Sequence, residues 1–345
     1  MTRQITVGGV AIGGGAPVTV QSMCTTPTRD VEATAAQIER LAAAGCDIVR
    51  VAVPDREAAQ AIAAIKKRVS LPLVADIHFD YKLALASLDA GADKIRINPG
   101  NIGSREGVRE VARACGERGV PIRIGVNGGS LEKGLLAKYG GAAPAALCES
   151  ALTQAAMLEE FGFGAICISV KSSSVQDTVK AYRLVAAACD YPLHLGVTEA
   201  GTAFRGTVNS AVGIGALLLD GIGDTVRVSL TAEPEREVEA GLAILKAAGA
   251  RAGGVRLVSC PTCGRTQIDL IALAQEVERR LAGVDRDITV AVMGCAVNGP
   301  GEAAAADFGV AGGRDEGLLF RKGQIVKKVP YASLADELMK LIWEK

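Results

Sequence analysis

The chain has 345 residues, 49% apolar and only 3% aromatic, and its 38 Lys and Arg balance 38 Asp and Glu. That length suits a barrel plus a small domain with a large core. Zero net charge, no basic run and few rings for base stacking argue against nucleic acid as a partner. The opening Met1–Val7 has no apolar signal core, and no run is long and apolar enough to span a bilayer. Nine cysteines, an odd number, fit a reducing compartment better than secretion. The expectation is a soluble cytoplasmic protein with no membrane contact.

In chain order, Val7–Pro17 with Gly13-Gly14-Gly15 superficially resembles a phosphate loop. It lacks the Gly-Lys-Ser/Thr ending and opens no helix, so it reads as a tight hairpin or barrel plug. Short β-branched runs then alternate with Ala/Leu-rich amphipathic stretches. The predicted strands are Val18–Met23, Asp47–Val53, Leu71–Ile77, Lys94–Asn98, Pro121–Val126, Ala165–Lys171, Pro192–Thr198 and Thr225–Leu230. Helical stretches such as Val31–Ala44, Tyr81–Ala90, Pro144–Phe161 and Glu235–Ala248 lie between or after them. Eight β-α units predict an α/β fold, a (β/α)8 TIM barrel over residues 1–251. An open doubly wound sheet is the alternative, disfavoured by the count and by the lack of a dinucleotide fingerprint. From Ala252-Gly253-Gly254 a second, small α/β domain covers 252–345, with strands at Val255–Ser259 and Ile288–Met293. Helices follow at Ile268–Leu281 and Ser333–Trp343, and a hairpin spans Gly317–Val329.

Four barrel strands carry an arginine: Arg50, Arg96, Arg123 and Arg227. Side chains alternate along a strand, so Arg96 shares a face with Asn98, Arg123 with Asn127, Arg227 with Ser229 and Asp76 with His78. The flanking Ile and Val residues claim the helix side, which leaves the polar face looking into the barrel toward its C-terminal mouth. Four arginines, with Lys171 at another strand end, repel each other unless an anion joins them, and the guanidinium fork suits phosphate. The bland alternative pairs them with Asp76 and Glu199. Four in register favour a polyanionic, phosphate-bearing substrate at the face where barrel active sites sit. Glu199, past the seventh strand, is placed for acid–base work or charge stabilisation. His78 is a pocket candidate, and His194, deeper, reads as structural. Cys46, Cys115, Cys148, Cys167 and Cys189 read as small core residues; Cys24 falls at the mouth with no base beside it.

The last domain carries Cys260 and Cys263 in S-C-P-T-C-G-R, then Cys295 and Glu302 in G-C-A-V-N-G-P-G-E. Three thiolates select zinc or an iron–sulfur cluster. A hard carboxylate as the fourth ligand is unusual for zinc but sensible for [4Fe-4S], where an iron with an exchangeable oxygen ligand is open to chemistry. Structural zinc stays as a remote alternative.

The segments A-D-I-H-F-D-Y, K-I-R-I-N-P-G-N-I-G, I-R-I-G-V-N-G-G-S-L, P-L-H-L-G-V-T-E-A-G, G-I-G-D-T-V-R-V-S-L, C-P-T-C-G-R and G-C-A-V-N-G-P-G-E-A resemble those of the bacterial 4-hydroxy-3-methylbut-2-en-1-yl diphosphate synthases essentially end to end. The resemblance is to the short form, without the extra central domain of the plant-type enzymes. It implies reductive ring opening and dehydroxylation of 2-C-methyl-D-erythritol 2,4-cyclodiphosphate in the methylerythritol phosphate route to isoprenoids. It implies a [4Fe-4S] cluster on Cys260, Cys263, Cys295 and Glu302, with Glu302 as the replaceable ligand. The diphosphate would fall to Arg50, Arg96, Arg123, Lys171, Arg227 and Ser229, with Asp76, His78, Asn98 and Asn127 lining the pocket and Glu199 facing the reacting carbons. It further implies ferredoxin or flavodoxin as electron donor, and a head-to-tail homodimer in which each cluster caps the partner's barrel. A non-redox [4Fe-4S] hydro-lyase acting on a phosphorylated substrate is the alternative activity. Two departures are visible: Ser174 stands where the family pattern suggests an acidic residue, and Cys24 where it suggests a hydroxyl.

Overall fold

Asp30, Asp55, Ser104 and Ser174 mark the starts of four helices, because each side chain accepts a backbone N–H of the first turn, that of Ala33, Ala58, Gly107 or Asp177. The structure is a computed structural model that describes residues 1–98, 101–282, 284, 286–295, 301 and 303–344. The chain divides into two compact units, Met1–Arg251 and Ala252–Lys345.

The first unit opens with an antiparallel hairpin, β1 (Ile5–Val7) and β2 (Val10–Ile12). The ring strands are β3 (Thr19–Met23), β4 (Ile48–Ala52), β5 (Leu73–Asp76), β6 (Lys94–Ile97), β7 (Ile122–Asn127), β8 (Ile166–Lys171), β9 (His194–Leu195) and β10 (Thr225–Val226). Each of them pairs in parallel, in the order β8-β7-β6-β5-β4-β3-β10-β9, and a parallel bridge between Ile168 and Leu193 closes the ring. The surrounding helices are α1 (Val31–Ala43), α2 (Arg56–Lys66), α3 (Tyr81–Asp89), α4 (Arg105–Arg118), α5 (Lys133–Tyr139), α6 (Pro144–Glu160), α7 (Val175–Ala188), α8 (Ala203–Leu219) and α9 (Pro234–Ala247).

The alternation read from the sequence decides which side chain goes where. Val49, Val51, Ile95, Ile97, Ile122, Ile124, Ile166 and Ile168 face the helices and form the main core. Full burial of each is worth roughly 1.5–3 kcal/mol. The opposite faces turn inward. At the N-terminal end of the barrel, Ile5, Val7 and Ile12 of the hairpin pack on inward-facing Ile48, Val74 and Cys167. The hairpin is therefore the barrel plug, and the glycine run is the turn that follows it. Gly13 has φ +80°, and a Cβ there would lie 2.1 Å from the Arg3 carbonyl oxygen, which is why the turn is built of glycine.

The strands expected at Pro192–Thr198 and Thr225–Leu230 keep only two paired residues each. The Arg227 N–H still donates to the Leu195 carbonyl at 2.9 Å, and farther on the Leu230 N–H donates instead to Glu237 on α9 at 2.9 Å.

The second unit contains β11 (Val255–Ser259), α10 (Leu270–Leu281), β12 (Ile288–Met293), β13 (Phe308–Gly312), β14 (Glu316–Arg321), β15 (Gln324–Pro330) and α11 (Leu334–Trp343). Its sheet runs β11-β12-β13-β14-β15, with parallel pairs as far as β13 and antiparallel pairs after it. Leu273 and Val277 of α10 and Leu338 and Ile342 of α11 bury against Val290, Val292, Val310 and Leu319.

Candidate active site

Arg50, Asp76, Arg96, Asn98, Arg123, Asn127 and Lys171 come from five consecutive strands of the ring or the loops directly after them, on the face opposite the core-forming Ile and Val. Arg227 follows β10 on the same pattern. The Asp76 carboxylate links two of the cations: Arg96 Nη1 lies 3.1 Å from Oδ1 and Arg50 Nε 3.6 Å from Oδ2. His78 Nε2 is 3.7 Å from the same oxygen, with half its side chain exposed. Burial alone would raise the Asp76 carboxyl, but Arg50 and Arg96 outweigh it and hold it down at about 2. Arg227 is gripped by Glu237, with Nη2 3.1 Å from both carboxylate oxygens. Glu237 also takes the Ser22 hydroxyl at 3.4 Å.

Arg123 and Lys171 find no such support. Arg123 is 1% exposed, and its Nε and Nη1 make no hydrogen bond among the described residues. Burial, then Arg96, pushes it down to about 10. Lys171 is buried too; desolvation, with Arg123, Arg227 and Arg50, pulls it well below its usual range. The two carboxylates ion-paired here, Asp76 and Glu237, leave the cluster with a surplus of positive charge. Such a site is relieved by an anion with several oxygens. Asn98 is buried, while Asn127 and Ser229 are half-buried. Glu199 is exposed and has φ +53°, a conformation costly for a residue with a Cβ and found at functional sites.

The alternation also placed residues that the sequence pattern had not singled out. Lys94 lies two residues before Arg96 on the same face, is wholly buried, and its ammonium makes no hydrogen bond among the described residues. Burial pushes it down to about 8, with Cys167 opposing and Arg123 reinforcing the shift. Glu237 was hidden because an acidic residue in a first helical turn ordinarily serves the helix dipole. Cys24 proves buried, its thiol pushed up to about 12 by desolvation and by Cys46, so it is no reactive group. Ser174 caps α7, which accounts for a short polar residue at that position.

In the second unit, β11 delivers Cys260 and β12 leads through Gly294 to Cys295, from neighbouring parallel strands in register at Ser259 and Val292. Cys260 Sγ accepts the Gly294 N–H at 3.2 Å. Cys263 is exposed, and hydrogen bonds with the backbone and then the side chain of Arg265 pull its thiol below the usual range. All three sulfurs are free of disulfides. This is a donor set suited to a soft metal. Glu302 lies outside the described residues, and among those described no three His, Cys, Asp or Glu side chains converge closely enough to hold a metal ion.

Fold and site together define a TIM-barrel protein with a cationic mouth, followed by a cysteine-bearing α/β domain. Residues 2–242 match the GcpE TIM-barrel domain and residues 256–344 the GcpE protein C-terminal domain. The chain belongs to the GcpE family. It is 63% identical over 338 residues to a Geobacter sulfurreducens protein named 4-hydroxy-3-methylbut-2-en-1-yl diphosphate synthase (flavodoxin), covering 98% of this chain and 96% of that protein. A Bacillus subtilis protein of the same name is 58% identical over 341 residues, 99% of this chain and 90% of that one. Among solved structures, dihydropteroate synthase from Stenotrophomonas maltophilia aligns with TM-score 0.54 and 17% identity over 72% of this chain and 98% of its own, a likeness of fold alone.

Proposed function

We propose that this chain is a 4-hydroxy-3-methylbut-2-en-1-yl diphosphate synthase that reductively opens 2-C-methyl-D-erythritol 2,4-cyclodiphosphate, with flavodoxin, the donor in its relatives' names, supplying two electrons. The observation that carries the reading is the surplus of buried positive charge formed by Arg50, Arg96, Arg123, Lys171 and Arg227 around two carboxylates. In this reading Arg123 and Lys171, which have no carboxylate partner among the described residues, take the diphosphate oxygens, and Asp76 holds Arg50 and Arg96 in orientation. Asn98, Asn127, His78 and Ser229 line the pocket and add hydrogen bonds. Glu199, at the mouth, protonates the departing hydroxyl so that it leaves as water, or stabilises charge on the carbons. The free sulfurs and the lowered Cys263 thiol fit the cofactor: Cys260, Cys263 and Cys295, with Glu302, would hold a [4Fe-4S] cluster, which when bound supplies electrons one at a time to the ring carbons.

We also propose a homodimer, head-to-tail as the family resemblance implies. Its support is the outer face of α8, where Phe204, Val208, Val212 and Leu219 form one exposed apolar stripe. Val212 and Leu219 also border an open groove of about 570 Å3, whose floor and far side include Gly215 and Ala216 of α8 and Ala243 and Ile244 of α9. Projecting side chains and a hollow on one face are self-complementary under a two-fold axis. Among the described residues no helix is long and apolar enough to cross a membrane.

The test of function is an anaerobic assay of the reconstituted chain with the cyclic diphosphate and a one-electron reductant, beside iron and sulfide analysis. Reductant-dependent formation of the open diphosphate is expected. Turnover without reductant would replace the reductive reading, and one zinc with no sulfide would remove the cluster.

A further inference from the structure

Two positions on the inward face carry no side chain: Gly125 within β7 and Gly196 directly after β9. Neither lies in the left-handed region, so the backbone does not call for glycine at either place. Glycine in a strand interior is a net cost, because it gives up more conformational freedom and packs nothing. What these two provide is room. A Cβ on Gly125 would stand 2.5 Å from Arg96 Nε, 2.8 Å from Nη2 and 3.0 Å from Cζ. A Cβ on Gly196 would stand 2.6 Å from Lys171 Nζ and 2.5 Å from the Arg227 carbonyl oxygen. In each case a cation from one strand leans across the bare backbone of the next: Arg96 of β6 over β7, and Lys171 of β8 over the chain leaving β9. Arg96 also donates from Nη2 to the Gly125 carbonyl at 3.4 Å while its Nη1 faces Asp76.

We propose that Gly125 and Gly196 are positioning residues of the anion site, bare patches of wall that let Arg96 and Lys171 lie flat and keep the barrel axis open for a diphosphate. With a methyl group at Gly125, the Arg96 guanidinium would be lifted off β7 into the space the anion needs. The inference rests on the diphosphate reading above. Gly125 is the cleaner test, since the three atoms its Cβ would meet first all belong to the end of one flexible side chain, whereas at Gly196 a backbone carbonyl stands in the way as well.

The experiment compares wild type, Gly125→Ala, Arg96→Ala and the double variant of the full chain by calorimetric titration with inorganic pyrophosphate, then by steady-state turnover of the cyclic diphosphate. Gly125→Ala should bind pyrophosphate about tenfold or more weaker, the loss of one charge-assisted contact. Its KM should rise in step while kcat stays within about twofold, the pattern of lost uniform binding. In the Arg96→Ala background the glycine change should have no further effect. Unchanged pyrophosphate affinity in Gly125→Ala overturns the inference, as does an equal loss with and without Arg96, which would mean that the methyl group acts through the fold. A wild type that binds pyrophosphate but does not turn over the cyclic diphosphate sinks the functional reading and leaves the binding comparison to decide the glycines. A wild type that binds no pyrophosphate overturns both.

Discussion

The Asp76 carboxylate holds the Arg96 guanidinium at 3.1 Å, in a position where both side chains are nearly shut off from water. The same carboxylate steadies Arg50, so one acid orients two cations. Asp76→Asn should therefore destabilise the barrel by about 3–5 kcal/mol, the usual cost of breaking a buried pair by removing one partner. The sign with pH follows from the lowered carboxyl. Its stabilisation is complete above the ordinary carboxylate value and is lost as pH falls toward about 2. Chemical denaturation from pH 5 downward should show the gap between wild type and Asp76→Asn narrowing; a constant gap would deny Asp76 the role.

Lys94 makes the opposite case. Its ammonium is buried with no hydrogen bond among the described residues, so Lys94→Met should raise stability near neutral pH by about 3 kcal/mol, from the shift between 10.5 and about 8. The penalty is present below pH 8, where the folded amine must be charged, and fades as pH climbs to the unfolded value. Denaturation midpoints at pH 7 and pH 10 check this: the advantage of the variant should be largest at pH 7.

Cysteine reactivity should split by burial. In the chain stripped of metal, Cys263 should be alkylated first by iodoacetamide, and Cys24, Cys46 and Cys115, each pushed up to about 12, should react only on unfolding. Peptide mapping by mass spectrometry reads the order, and native labelling of Cys24 would contradict its placement.

On α8, Phe204→Asp puts a charge on a side chain that is 80% exposed, so the isolated fold should tolerate it within about 0.5 kcal/mol. Sedimentation should show a dimer for the wild type and a monomer for the variant. A variant still dimeric would move the interface elsewhere.

Periodicity made most of this legible. The two-residue alternation around Arg50, Arg96 and Arg123 is enough to tell inside from outside, and the eight β-α units announce the barrel. What stayed hidden depended on partners far along the chain. Glu237 reaches Arg227 and Leu230 from a helix, and no local pattern distinguishes it from an ordinary first-turn acid. Gly125 and Gly196 look like neutral gaps within strands, because the crowding that explains them comes from side chains of neighbouring strands. Lys94 was within reach, since it alternates with Arg96, but an unpaired lysine beneath a site runs against the rule that buried charges are paired. The cysteine spacing pointed to a metal, and Glu302, on which the fourth ligand depends, falls outside the described residues.

The hairpin of Ile5, Val7 and Ile12 corks one end of the barrel. Among the described residues the barrel is therefore a cup, filled at that end by apolar side chains. Ligand then has the mouth at the other end as its way in and out, so the arginines that line that mouth also line the path of exchange.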